Sequence, residues 1–171
     1  MTVKGDYMGM TLSIDDLDGE NIAYFKHCAT HDFHLQKCDD CKLLRYPPTT
    51  ACPFCTCLES TWVPVEGKGT VHSYGEVHHG IQPQFQKATP YLILMVDLDT
   101  QKGVPSEYDA LRVVCNLVGP DGTLAAADQV ARVGIGTRVK MVFNDLSPGL
   151  SLPQWTIDED APQPAPWRYP D

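Results

Sequence analysis

The sequence predicts a mainly β protein: a short N-terminal helix, a small ribbon held by cysteines, and then a five-stranded barrel. Three observations lead there. Apolar residues at helical spacing are confined to one early segment. Two Cys-x-x-Cys pairs stand ten residues apart. The remainder is a series of short branched or aromatic runs punctuated by Gly and Pro. At 171 residues the chain has room for one sizeable core, or for a medium domain with a small module.

Residues 1–14 contain Gly5 and Gly9 without periodicity and are expected to form a mobile arm. Asp18 is placed to cap a helix running to about His31, with Ile22, Phe25, Cys28 and Ala29 on one stripe. So short a helix is marginal alone and must lie on a surface. The stripe and the spacer residues Leu43, Leu44 and Tyr46 suggest a dock for another chain. His27, His31 and His34 recur near helical spacing and are expected at an interface rather than around a second metal.

The ribbon carries the strongest chemistry. Cys38 and Cys41 form one pair, Cys52 and Cys55 the other, in the contexts K-C-D-D-C-K and A-C-P-F-C-T. Two residues between cysteines let a tight knuckle aim both sulfurs at one metal, and four soft thiolates suit structural zinc. Iron would accept the same ligands. A redox Cys-x-x-C would occur once, between a strand and a helix. Here two copies flank Pro47-Pro48 and no helical pattern follows. Cys57 is close by, but a closed structural site needs only four ligands. Cys28 and Cys115 read as small buried hydrophobes.

After the ribbon the period becomes that of strands. Trp62, Val63 and Val65 open one, Gly67 and Gly69 permit a bend, and Thr70 to Val77 continues it. Tyr91 to Leu98 and Leu111 to Val118 are rich in branched residues, the second closed by Gly119-Pro120-Asp121-Gly122. Arg138 to Phe143 alternates inward Val139, Met141 and Phe143 with outward neighbours, and Gln154 to Ile157 closes the sheet. Five strands with a bent first one fit the partly open Greek-key barrel of the OB-fold. Residues 158–171, with four prolines and four acids, read as an extended tail. The expected divisions are 1–36 for arm and helix, 37–62 for the ribbon, 63–157 for the barrel, and 158–171 for the tail.

Charge narrows the function. The net charge of −9 is concentrated at the two ends, and no Lys/Arg cluster offers a track for phosphates. That disfavours a nucleic-acid-binding zinc-ribbon and OB-fold module, the alternative reading of these parts. The N-terminal residues show no basic stretch followed by an apolar run, and no apolar run is long enough to span a bilayer, so a cytoplasmic location is expected. The sequence has no G-x-S-x-G, no H-E-x-x-H and no phosphate-cradling loop, and Gly67-Lys68-Gly69 reads as a barrel bend.

The order of these parts resembles the acyl-CoA-associated OB-fold proteins with a rubredoxin-like zinc ribbon, the domain of unknown function 35 family. The resemblance rests on L-Q-K-C-D-D-C (35–41), Y-P-P (46–48), C-P-F-C (52–55), G-K-G-T-V-H-S-Y (67–74), P-Y (90–91), V-G-I-G-T-R-V (133–139) and L-P-Q-W (152–155). The segment Asp99 to Tyr108 is longer and more polar than that family's usual turn, and the acidic tail lies outside the likeness. The resemblance implies a hetero-oligomeric partner subunit of a thiolase-fold enzyme: a thiolase, an acyltransferase or an aldolase. Catalytic residues would belong to the thiolase-fold chain, and this chain would bridge subunits and shape the site for a coenzyme A thioester. On that reading the loop with His78, His79 and Phe85 faces the acyl-CoA, as OB-fold loops commonly grip ligands. A solvated polar loop is the simpler reading of each of these residues alone. A lone enzyme using Cys57 or Cys115 with a histidine is a further alternative.

Overall fold

The computed structural model describes residues 2–15 and 19–170. Among the described residues ten strands and three helices follow one another: β1 (Val3–Tyr7), β2 (Met10–Ile14), α1 (Gly19–Cys28), β3 (His34–Cys38), β4 (Leu44–Arg45), β5 (Ser60–Pro64), β6 (Lys68–Val77), α2 (Pro83–Gln86), β7 (Tyr91–Leu98), β8 (Arg112–Asn116), α3 (Ala127–Arg132), β9 (Arg138–Ser147) and β10 (Leu150–Ile157). They form a hairpin β1-β2, a three-stranded ribbon ordered β4-β3-β5, and a five-stranded sheet ordered β10-β9-β6-β7-β8.

The five-stranded sheet is the OB-type barrel, and β6 is the strand that makes it curl. Its start pairs with β9 (Gly69 opposite Val139) and its whole length pairs with β7, with a register shift between Val71 and Ser73. Glycine is required at that start: a Cβ on Gly69 would lie 2.4 Å from the Asp97 carbonyl oxygen. Along β7 every second residue, Leu92, Leu94, Val96 and Leu98, is fully buried, which is the period of two expected of a half-buried strand. The two edges meet at a short seam, where Leu117 bridges Trp155 in parallel and the Val118 N–H donates to the Trp155 carbonyl (2.8 Å). Trp155 is wholly buried and its indole N–H donates to the Val113 carbonyl at 3.3 Å.

Three expectations change. Residues 3–14 are a hairpin rather than a mobile arm. Val3 faces Ile14, Gly5 faces Leu12 and Tyr7 faces Met10 around Met8-Gly9, both at positive φ. The hairpin docks on the barrel because Tyr7 is buried and its oxygen accepts from Asn116 Nδ2 (3.3 Å) and Gln154 Nε2 (3.5 Å). Second, the helix finds its surface within this chain. Tyr24 and Cys28 are buried in the common core, Phe25 packs at its margin, and Leu44 and Tyr46 of the spacer join them. The stripe and spacer are therefore not a free dock. The expected cap, Asp18, lies outside the described residues. Third, β5 pairs along its length with β3, Trp62 opposite Gln36, so this strand belongs to the ribbon sheet and the bend after it leads into the barrel.

The acidic tail is extended but anchored. Trp167 bridges Ile135, and Arg168 donates to the Val130 carbonyl (2.8 Å) and pairs with Glu76 (2.6 Å). No helix among the described residues is long and apolar enough to cross a membrane.

Candidate metal centre and barrel loop

The ribbon brings Cys38, Cys41, Cys52 and Cys55 together. Their sulfurs all lie within 4.8 Å of one another, with Cys38 to Cys55 at 3.5 Å and Cys41 to Cys52 at 3.6 Å. A tetrahedron with metal–sulfur bonds of about 2.3 Å has edges of about 3.8 Å, so the four thiols fit a divalent ion of zinc's size. The two knuckles are built alike. Lys42 N–H closes on the Cys38 carbonyl (3.1 Å) and Thr56 N–H on the Cys52 carbonyl (2.9 Å). Cys38 and Cys52 end up buried, Cys41 half-buried and Cys55 exposed.

The backbone is arranged for thiolates. Burial opposes ionisation of Cys38, yet N–H groups of Cys41 and Asp40 and the Cys55 and Cys41 thiols pull it down to about 6. Cys52 is lowered in the same way, against desolvation, by N–H groups of Phe54 and Cys55. Cys41 has the Leu43 N–H in its favour, but desolvation and the neighbouring sulfurs push it up to about 12. Metal binding requires the ligating thiols to be deprotonated, and a divalent cation is what favours their ionising together.

The other cysteines stand apart. Cys57 faces the Glu59 carbonyl at 3.6 Å, outside the cluster of four. Desolvation pushes Cys28 and Cys115 each up to about 12, so neither offers a thiolate near neutral pH. The histidines pin elements to one another. His27 stacks on His34 with ring centroids 4.1 Å apart, and His31 lies on Phe143 while meeting Asp145 at 2.7 Å.

The loop between β6 and β7 places its expected residues differently from one another. His78 and His79 are exposed, with His78 3.7 Å from Glu76. Phe85, on α2, turns inward between Tyr7 (6.0 Å) and Tyr91 (5.5 Å). The two histidines are therefore presented to solvent, while Phe85 anchors the loop.

Some site residues have no local motif. Gln36 and Arg45 are buried inside the ribbon and bonded to each other, Arg45 Nε donating to Gln36 Oε1 at 3.0 Å. The available hint was a lone base between Leu44 and Tyr46. A cavity of about 300 Å³ lies between α1 and the seam, lined by Tyr24, Phe25, Tyr46, Ile93, Cys115 and Pro153 among others.

A ribbon of four convergent thiols packed on an OB-type barrel defines the class of protein. Residues 62–144 match the family model described as ChsH2, C-terminal OB-fold domain. A chain of the solved "Ltp2-ChsH2(DUF35) aldolase" is 30% identical, with a TM-score of 0.63 over 84% of this chain and 96% of that one. This chain belongs to the DUF35 family. A DUF35-family structure of unknown function from Sulfolobus solfataricus is 16% identical over 80% of this chain, too distant at a TM-score of 0.47 to bear on function. Among curated proteins, the "Probable enoyl-CoA hydratase alpha subunit" of Thermomonospora curvata is 30% identical over 139 residues. That match takes in 80% of this chain but only 37% of the relative's length.

Proposed function

We propose that this chain is a non-catalytic, zinc-binding partner subunit of an enzyme acting on coenzyme A thioesters, with a thiolase-fold chain as the catalytic member. The observation that carries this reading is the end-to-end likeness to a chain of the Ltp2-ChsH2(DUF35) aldolase, whose name pairs two components. The curated relative, an alpha subunit named for an enoyl-CoA substrate, points to the same substrate class. The raised thiols of Cys28 and Cys115 agree with chemistry supplied by the partner.

A surface for that partner is available on the outer face of β7 and β8. Met95 stands opposite Val114 there, one step from Ile93, and all three are exposed apolar side chains. Covering them would remove apolar area from water, the usual driving force of stable association. In this reading His78 and His79 approach the thioester from the exposed loop, and the zinc stiffens the ribbon without touching substrate.

The test is purification of the tagged chain from its own cells. A thiolase-fold protein should coelute at fixed stoichiometry, and acyl-CoA turnover should belong to the pair and not to this chain alone. Coelution with nucleic acid and no protein would favour the nucleic-acid module instead.

A further inference from the structure

Arg45 is the most unusual charge in the molecule. The residue is 2% exposed, and an arginine cannot shed its proton at accessible pH. All its bonds go to neutral oxygens: Gln36 Oε1 (3.0 Å), the Thr49 carbonyl (2.9 Å) and Ser60 Oγ (3.1 Å). Nη1 is buried without a hydrogen-bond partner, and no salt bridge to a carboxylate includes Arg45 among the described residues. Burying a cation with only neutral partners is costly, so a compensating negative charge is needed nearby.

The register says where that charge lies. Arg45 sits opposite Gln36, and Gln36 and Cys38, two residues apart on β3, share one face of the ribbon. Ser60 stands opposite Cys38, and Arg45 Nη2 reaches its hydroxyl. The guanidinium therefore extends along the face that carries Cys38, roughly 5–8 Å from that side chain by cross-strand spacing. Divalent zinc with four thiolates carries a net charge of about −2. The exposed Lys37 and Lys42 of the first knuckle are solvated and screened, whereas Arg45 acts through protein.

We propose that Arg45 is the built-in countercharge of the tetrathiolate centre, raising its affinity for zinc, while its fork clips the spacer at Thr49 to β3 and β5. The inference rests on the zinc reading above. It makes Arg45 a positioning and charge-balancing residue that does not touch the metal.

Zinc affinity of the full chain, measured by competition with a chromogenic chelator, separates charge from clip. R45K keeps the charge and loses the fork, whereas R45Q loses both. R45Q should bind zinc about 10- to 100-fold more weakly, the usual cost of removing an outer partner of a metal site, and R45K within about threefold of wild type. Absorption of the cobalt-substituted chains should report an intact tetrathiolate in R45K. Equal losses in R45K and R45Q, or wild-type affinity in both, would overturn the countercharge. If R45Q does not fold, R45K alone decides, since a loss of tenfold or more there has the same meaning. A well-folded wild-type chain free of zinc would instead defeat the metal reading itself.

Discussion

Lys42 and Thr56 adopt the same left-handed backbone conformation, φ 64° and 65°, each one residue past the second cysteine of its knuckle. This is uncommon for any side chain and least comfortable for a β-branched one. Thr56→Gly should therefore leave stability unchanged or raise it by up to about 1 kcal/mol, and Thr56→Val should lower it. Thermal melts of the metal-loaded chain give both signs.

Metal should be present near one atom per chain, and Cys38→Ser or Cys55→Ser should release it and unfold the ribbon, since so small a module has little core of its own. Elemental analysis and near-ultraviolet dichroism, before and after a chelator, report the two effects. Metal retained at full occupancy in Cys38→Ser would contradict the four-thiol site.

Tyr7→Phe should cost about 1–2 kcal/mol, because the buried amide of Gln154 and the half-buried amide of Asn116 then lose a shared acceptor. Urea denaturation reads this directly. An unchanged midpoint would mean that the Tyr7 hydroxyl adds nothing to the docking of the hairpin.

The Arg138 side chain holds the Asp99 carboxyl below the usual carboxylate range through paired hydrogen bonds, one of them 2.8 Å. A lowered folded-state value gives stability that is present above the unfolded pKa, near 3.8, and is lost as pH falls through the folded value. Because Asp99 is partly exposed, Asp99→Asn should cost no more than about 0.5–1 kcal/mol at pH 7. The difference from wild type should vanish in stronger acid and shrink in salt.

Val114→Lys with Met95→Lys should abolish coelution with the partner while zinc content and far-ultraviolet dichroism stay as in wild type. Neither position is in the core, so the fold should tolerate both. Native coelution of the double variant would place the dock elsewhere.

The sequence was most legible where one local rule dominated. Tyr91 to Leu98 is a run of branched and aromatic residues, and the strand has those very bounds. The four thiols were visible as paired spacing because the knuckles are local. The N-terminal hairpin was missed although Val3, Gly5 and Tyr7 face Ile14, Leu12 and Met10. Its Met8-Gly9 turn lacks the usual Asn-Gly or Asp-Gly, and its stability comes from Tyr7 reaching residues more than a hundred positions away. The helix was recognised, but its surface was not, because Tyr24 meets the core from a position the apolar stripe had passed over. Arg45 was opaque for the same reason: burial of a single base is a tertiary fact.

The seam between Leu117 and Trp155 also has a kinetic meaning. It joins segments separated by α3 and the whole of β9, so its closure pays the entropy of a long loop, which the β6-β7 hairpin does not. The open sheet can assemble first and be stitched shut last. Weakening the stitch, as in Gln154→Ala, which removes the side chain bonded to the Asn116 N–H, should speed unfolding while leaving the refolding rate nearly untouched.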